Sequence, residues 1–354
     1  MAKRVTIQDI ADALGISRNT VSKAINNTGS LAESTRQKIL QKAIQMGYKQ
    51  FSYMEIDPQH HLFKAKDKTG IAFFSSSFIN ESHFSSPMMD RVEKELSDLN
   101  YHLDIYRISK DNLKNKTLPP SFRPENCAAI ICVEVFDYDY SVMLTEQDIP
   151  ILFVDSPVEI GQAPLKADKL YMNNTDGILE LISIMKQRGV KEIGFIGEMM
   201  HCQSFCERYL AFRNGMHLSG LEIHDELCIC ETLPPDTKDT GVFYQDYLEK
   251  KLREFDHLPE LFICANDFIA IDLMQAMKRL DIRVPDDVMI CGFDDSSESR
   301  IVTPPLSSLH IHSQSMGVSA VSLLLSRIKE PSLDYRSLYV ETDLVLREST
   351  KDTY

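Results

Sequence analysis

The sequence predicts an α/β chain in which a small head of three helices precedes a larger body of two lobes, each a parallel sheet covered by helices. Three observations lead there. From residue 69 onward, short continuous apolar runs alternate with amphipathic stretches: TGIAFF, YHLDIY, AAIICV, PILFVD, EIGFIG, LFICA and VMICGF. Strands that are apolar throughout are buried on both faces, as in parallel sheets under helices, and two such series argue two lobes. Residues 5–48 show helical periodicity instead. Charge divides at the same place: residues 1–50 carry eight Lys and Arg against three Asp and Glu, whereas the rest of the chain carries 30 against 49. A basic head on an acidic body leaves only the head suited to meet a polyanion.

At 354 residues, 43% hydrophobic and 25% charged, the chain is large enough for more than one core and ordinary in composition, which excludes disordered and fibrous classes. No apolar run reaches the roughly 18 residues of a membrane span. The N-terminus MAKRVTIQDIADALG lacks the apolar region of a secretory signal, so a cytoplasmic location without a membrane partner is expected. The eight cysteines, at 127, 132, 202, 206, 228, 230, 264 and 291, fall mostly inside apolar runs and read as buried reduced thiols. Cys228 and Cys230 in ELCICET would share one strand face, without the paired knuckles of a zinc site. His310 and His312 in LHIHS alternate in the same way. Neither metal nor cofactor is expected, and GFIGEMMH is too short a match for a phosphate loop.

The head is built from local signals. Thr6, with Asp9 three residues on, resembles a capping box in which Asp replaces the usual Glu or Gln. Ile7, Ile10, Ala11 and Leu14 then lie on one helical face, and Gly15 ends the helix because a left-handed residue without a Cβ meets no steric penalty. Ser17 caps a second helix that buries Val21, Ala24 and Ile25. Helices crossing steeply need a small side chain at closest approach, a tight turn and a branched wedge; Ala11, Gly15 and Val21 supply these. A third helix, ESTRQKILQKAIQMGY, closes the core with Ile39, Leu40, Ala43, Ile44 and Met46. The opposite face of the second helix shows Arg18, Asn19, Ser22 and Lys23, where Arg suits guanine and Asn suits adenine in the major groove.

VTIQDIADALGISRNTVSKAIN followed by ESTRQKILQKAIQMGY resembles the DNA-binding domain of the lac repressor family of bacterial transcription regulators, almost without gaps over residues 5–48. The resemblance implies that Arg18 and Asn19 hold the two specificity positions opening the recognition helix, with Lys23 the basic position one turn on. It places Thr6, Ser17, Thr20, Ser22, Asn26 and Thr35 against the phosphate backbone, which sets register and not sequence. In the family a Pro-Asn pair and a short hinge helix follow, carrying a leucine that wedges into the minor groove. Here Gln50 and Phe51 stand in place of that pair, and Asp57 stands about where the leucine belongs. Asp57-Pro58 is a poor helix interior and a carboxylate is repelled by phosphates, so residues 50–68 are expected to form a linker with a degenerate hinge. Ile56 and Leu62 remain as candidate wedges.

In the body, SPMMDRVEKELSDLN and AIDLMQAMKRLD show helical apolar spacing. Ligands of open α/β sheets bind beyond the carboxyl ends of the strands. Phe84 lies in the loop after TGIAFF, Asp155 after PILFV, Arg208 beyond EIGFIG, Asn266 after LFICA and Asp294 after VMICGF. Carboxylates, an amide and a guanidinium in one crevice can pair with vicinal hydroxyls; the alternative is ordinary turn-forming Asp and Asn at strand ends. ERYLAF, CANDFIAIDLMQAM, RVPDDVMICGFDD and TPPLSSL are similar to the effector domain of the same family, which shares its fold with periplasmic sugar-binding proteins. That resemblance implies effector contacts from Arg208, Asn266 and Asp294, a further one from Asp155, a stacking aromatic near Phe84, and selectivity from Met172 and Glu134. Ala211 replaces the motif glycine. The implied divisions are a head of 1–49, a linker of 50–68 and a body of 69–354. The body splits into an N-lobe of about 69–172 plus 311–338 and a C-lobe of about 173–310 plus 339–354.

The expected function is a sequence-specific DNA-binding regulator, a repressor, that reads a near-palindromic double-stranded operator as a homodimer and responds to a sugar-like effector. The alternatives are a purine or a partner protein as the signal, or a sugar-binding receptor without DNA switching. No enzyme is expected, since no nucleophile elbow, metal-ligand spacing or cofactor motif is present.

Overall fold

The computed structural model describes residues 5–25, 31–46, 48, 54–56, 63–65, 68–76, 84–232 and 244–352. The chain forms two compact units, Met1–Lys68 and Thr69–Tyr354.

The first unit opens with helices α1 (Ile7–Leu14), α2 (Arg18–Ile25) and α3 (Glu33–Gln45). Both halves of the Thr6–Asp9 capping box are made, and Gly15 closes α1 in the left-handed conformation at φ 67. Thr20 N donates to Ser17 Oγ at 3.0 Å, so Ser17 caps α2. Ile10, Ala11, Val21, Ala24, Ile25, Ile39, Leu40 and Ala43 form one buried core, joined by Tyr48. Ile7, Leu14 and Met46 are half-buried at its rim, and the Ile44 side chain lies outside the described residues. Beyond α3, strands β1 (Met54–Ile56) and β2 (Phe63–Ala65) pair antiparallel, Ile56 opposite Phe63. No helix occurs among the described residues of 50–68, and the other candidate wedge, Leu62, lies outside them.

The second unit is built around a six-stranded parallel sheet. Its members are β3 (Gly70–Ser75), β4 (His102–Arg107), β5 (Cys127–Val133), β6 (Ile151–Val154), β7 (Asp168–Met172) and a late strand, β12 (Ser337–Val340), in the order β12-β7-β6-β5-β3-β4. A second parallel sheet holds β8 (Ile193–Ile196), β9 (Leu261–Cys264) and β10 (Met289–Cys291). Beside it, β11 (Ser308–Ile311) and β13 (Thr342–Val345) pair antiparallel. The apolar runs read from the sequence are β3, β4, β5, β6, β8, β9 and β10, and the α/β class with parallel sheets stands. The chain passes between the sheets after β7, after β11 and between β12 and β13.

Helices Ser85–Ser97 and Ser313–Lys329 pack together over the first sheet, burying Met88, Val92, Leu96, Met316, Ala320 and Leu324. Helices Asp176–Gln187 and Gln203–Ser219 pair over the second. In β8 a Cβ on Gly194 would come within 2.3 Å of the Leu227 carbonyl, so close packing of the chain requires glycine there. ELCICET is not an extended strand. Only Ile229 forms a bridge, to Ile196, and Cys228 and Cys230 flank it half-buried. His310 lies in β11, whereas His312 is already the N-cap of the next helix; each faces its own carboxylate, Asp295 at 3.0 Å and Asp343 at 3.1 Å.

Candidate functional site

On the head, Arg18 and Asn19 are exposed in the first turn of α2, and Lys23 is exposed one turn after Asn19. Their helix buries Val21, Ala24 and Ile25 on its other side, so core packing fixes which face is presented. Ser17 Oγ and Thr20 Oγ1 are hydrogen-bonded to each other at 2.7 Å, and the Thr6 hydroxyl donates to Asp9 Oδ2 at 2.7 Å. These hydroxyls therefore hold helix starts. Ser22 and Thr35 are half-buried, and Asn26 lies outside the described residues.

In the body, Phe84, Asp155, Arg208, Asn266 and Asp294 line one cavity of about 290 Å³, with Met172 and Glu134. The first sheet supplies Glu134 after β5, Asp155 after β6 and Met172 at the end of β7. The second supplies Asn266 after β9 and Asp294 after β10, while Arg208 projects from the helix Gln203–Ser219. Three of the carboxylate residues hold left-handed backbone: Glu134 at φ 55, Asp155 at φ 57 and Asp294 at φ 113. Such conformations cost about 1–3 kcal/mol each and persist where the surrounding structure enforces them.

Arg208 is buried. Its Nε donates to Asn174 Oδ1 at 2.9 Å and its Nη1 to the Ala265 carbonyl at 2.6 Å, and the guanidinium lies 3.5 Å from the Phe293 ring centroid. Burial pulls its pKa down, against the opposing pull of Asp294. Asp294 Oδ1 stands 3.9 Å from Nη1, an ion pair too long to be a hydrogen bond. Burial holds the Asp294 carboxyl well above the usual carboxylate range; Arg208 opposes this, and Asp267, Glu134 and Asp155 reinforce it. Asp155 is also pushed up by burial, although the Cys202 thiol and the backbone N–H groups of Ser156 and Ser204 donate to it, the last two at 2.8 and 3.1 Å. Its carboxylate therefore fastens the start of helix Gln203–Ser219 to the end of β6. Asn266 Oδ1 accepts from Ile269 N at 3.0 Å as the cap of helix Asp267–Arg279, and the residue lines the cavity.

Sequence reading did not find the aromatic wall. Phe136, His201, Phe205 and Phe268 also line the cavity, and the His201 ring lies 5.1 Å from Phe136 and 5.0 Å from Phe205. They come from loops and helix starts, where no periodicity marks a facing direction. Aromatic faces beside carboxylate, amide and guanidinium groups suit a ligand with an apolar ring face and a polar rim.

Two sequence profiles match the chain: bacterial regulatory proteins of the lacI family over residues 6–50, and the periplasmic binding protein-like domain over residues 182–350. The HTH-type transcriptional regulator GalR of Lacticaseibacillus casei is 26% identical over 357 residues, covering 98% of this chain and 99% of that protein. The probable HTH-type transcriptional repressor ExuR of Bacillus subtilis (strain 168) is 26% identical over 350 residues, 98% of each chain. Among solved structures, a complex of the transcriptional regulator CelR with cellobiose superposes with a TM-score of 0.67 at 19% identity, over 98% of this chain and 100% of that one. The lac repressor dimer bound to operator and the anti-inducer ONPF gives 0.66 at 18% identity, over 98% and 99%. At these identities the structures speak to the fold, which they share from end to end. With a helix-turn-helix head of one profile, a body of the other, and relatives matched along their whole length, the chain belongs to the lacI family of bacterial transcriptional regulators.

Proposed function

We propose that this regulator is a repressor that reads a near-palindromic operator as a homodimer, and that a sugar-like effector bound in the body's cleft sets its affinity for DNA. The observation that carries the effector is the convergence of Phe84, Asp155, Arg208, Asn266 and Asp294 on one cavity of about 290 Å³. That volume is at the lower end of small-ligand pockets, and the mixture of acceptors, donors and ring faces suits vicinal hydroxyls. The cellobiose complex of the regulator CelR, a neighbour in fold, supports a carbohydrate. For DNA, Arg18 and Asn19 read base edges and Lys23 holds phosphate, while Thr6, Ser17 and Thr20 act mainly by holding the helices that present them. The lac repressor neighbour is a dimer, and here the edge strand β4 leaves Ile105 52% exposed, in a shallow pocket it shares with Met89 and Leu103, an apolar surface for a second copy. The site binds and does not catalyse, and the protein acts in the cytoplasm.

Selection of operator from random duplex DNA, followed by titration of sugars and purines into the protein–operator complex, tests this. A symmetric site bound by two chains, with affinity altered by a carbohydrate, is expected. An operator affinity that no small molecule changes would remove the switch. Formation of a chemically altered sugar would show an enzyme.

A further inference from the structure

The eight cysteines are not equivalent. Six are buried, whereas Cys228 and Cys230 are half-buried and can be reached from solvent. They flank Ile229 in a segment that enters on extended backbone at Cys228, so the two side chains fall on one side of it. Their thiols hydrogen-bond to each other. Each also faces a backbone carbonyl, Cys228 Sγ that of His224 at 3.6 Å and Cys230 Sγ that of Phe195 at 3.9 Å. The contact with Cys230 draws the Cys228 thiol below its ordinary value, against burial, and Arg213 acts in the same sense. The same contact, with burial, pushes Cys230 up. A thiol favoured as thiolate beside a second thiol is the arrangement of an attacking and a resolving cysteine.

The segment also braces the cleft. Ile229 N donates to the Phe195 carbonyl at 2.8 Å, Gly197 N to the Ile229 carbonyl at 2.9 Å and Met199 N to the Cys230 carbonyl at 3.2 Å. These bonds hold the loop after β8 that leads to His201, whose ring lines the cleft against Phe136. In extended backbone, Cα atoms two residues apart are separated by about 6.7 Å, at the far end of the roughly 4.4–6.8 Å that a disulfide spans. Joining the two sulfurs therefore contracts the segment at Ile229, between the two hydrogen bonds it makes. We propose that Cys228 and Cys230 form an oxidation site, in which a hydroperoxide links them as a disulfide and the contraction loosens the loop bearing His201. With hydrogen peroxide, the Cys228 sulfur attacks one oxygen and the O–O bond breaks; the leaving hydroxide takes the thiol proton as water, and Cys228 becomes a sulfenic acid. The Cys230 sulfur then attacks that sulfur, the S–O bond breaks, and hydroxide leaves with the Cys230 proton as a second water. Two thiols are oxidised to one disulfide by two electrons, which reduce one peroxide to two waters. Disulfides in reducing compartments are typically transient and sensory, and a strained one is readily reduced again. The site works the same way whichever effector the cleft takes.

The test is treatment of the reduced full chain with hydrogen peroxide, read by thiol titration, peptide mapping and hydrogen exchange. Two of the eight thiols should be lost, one peptide should hold a disulfide between Cys228 and Cys230, and a dithiol should restore both. Cys230→Ser should stop at a sulfenic acid on Cys228 that dimedone traps, and Cys228→Ser should react roughly tenfold more slowly, the change in thiolate fraction over one pH unit. Continued protection of the six buried thiols shows that each variant folds. Amide exchange at Gly197 and Met199 should quicken on oxidation and recover on reduction. Resistance of both thiols, indiscriminate loss of all eight, a disulfide to any other cysteine, or an undiminished rate in Cys228→Ser would each overturn the oxidation site. A disulfide that left exchange at those two amides unchanged would overturn its link to the cleft.

Discussion

Arg208 Nε donates to Asn174 Oδ1 at 2.9 Å, which ties the guanidinium facing the cleft to the first segment that passes between the two sheets of the body. The amide of Asn174 also donates to Glu207 Oε2 at 2.8 Å, and Glu207 Oε1 accepts at 3.0 Å from Tyr339 Oη, in β12 just before the last passage between the sheets. Two of the three passages thus converge on consecutive residues of one helix, so a ligand that pulls on Arg208 also loads the joints between lobes. Replacing Asn174 with Ala should leave effector affinity within a few-fold and shrink the effector's influence on operator binding, which in such couplings is typically about 5- to 150-fold. Operator titrations with and without saturating effector measure it; an undiminished ratio would remove Asn174 from the coupling.

Arg18→Ala should weaken operator binding by about 1–3 kcal/mol and relax preference at one base of each half-site, because a base-edge donor is lost. Lys23→Ala should weaken operator and random DNA alike and lower the salt dependence of binding. Binding titrations on both duplexes at several salt concentrations separate the two. Equal losses on both duplexes for Arg18→Ala would show that it contacts phosphate.

Thr6→Ala removes one half of a complete capping box and should destabilise the head by about 1 kcal/mol. Since the hydroxyl is engaged with Asp9, weaker DNA binding by this variant should track the loss of folded head. Circular dichroism melts beside operator binding at low temperature check it. Full operator loss with an unchanged melt would make Thr6 a direct phosphate contact.

Burial pushes the Asp267 carboxyl up to about 6, in spite of hydrogen bonds from Ser308 Oγ and Ser296 N. The folded value lies above the unfolded value of about 3.9, so folding favours the neutral acid. Its contribution is therefore fully present below about pH 4 and is lost as pH rises to about 6, after which the curve is level. Asp168 and Asp295 behave oppositely. Burial raises each, but arginines outweigh it, through Arg327 and Arg336 for Asp168 and Arg347 and Arg300 for Asp295. Their support is lost only as pH falls below the ordinary carboxylate range. Urea unfolding from pH 4 to 7 should show stability declining through the first two pH units, and the decline should be smaller by about 3 kcal/mol in Asp267→Asn. Parallel curves for the two proteins would assign the decline elsewhere.

The head was legible because its signals are local: the Thr6–Asp9 box, the Gly15 turn and the Val21 wedge each act within a few residues. Strands such as β5 and β9 were legible because nothing polar interrupts them. β7 was not, since DKLYM opens with two charges that suggest surface. In the fold, Asp168 is 1% exposed and meets Arg327 Nε at 2.9 Å, a partner 159 residues away, while Lys169 Nζ reaches Glu159 Oε2 at 2.6 Å. β12 and β13 are half-exposed pieces of four residues each, too short to show a period. In the cleft, polar residues at strand ends could be found because strand ends can be found. The ring of His201 could not, because it faces the cavity only once the loop after β8 has folded.

The left-handed backbone at Glu134, Asp155 and Asp294 also bears on how this protein can diverge. A β-branched residue at such φ values is strongly disfavoured, while Gly, Asn and Asp are tolerated, so few single exchanges at these three sites preserve the fold. Lineages that switch to a new signal molecule are thereby channelled toward Met172, Phe136, His201 and Phe268. Those positions border the same cavity on ordinary backbone, and drift there can proceed by small steps in size and shape.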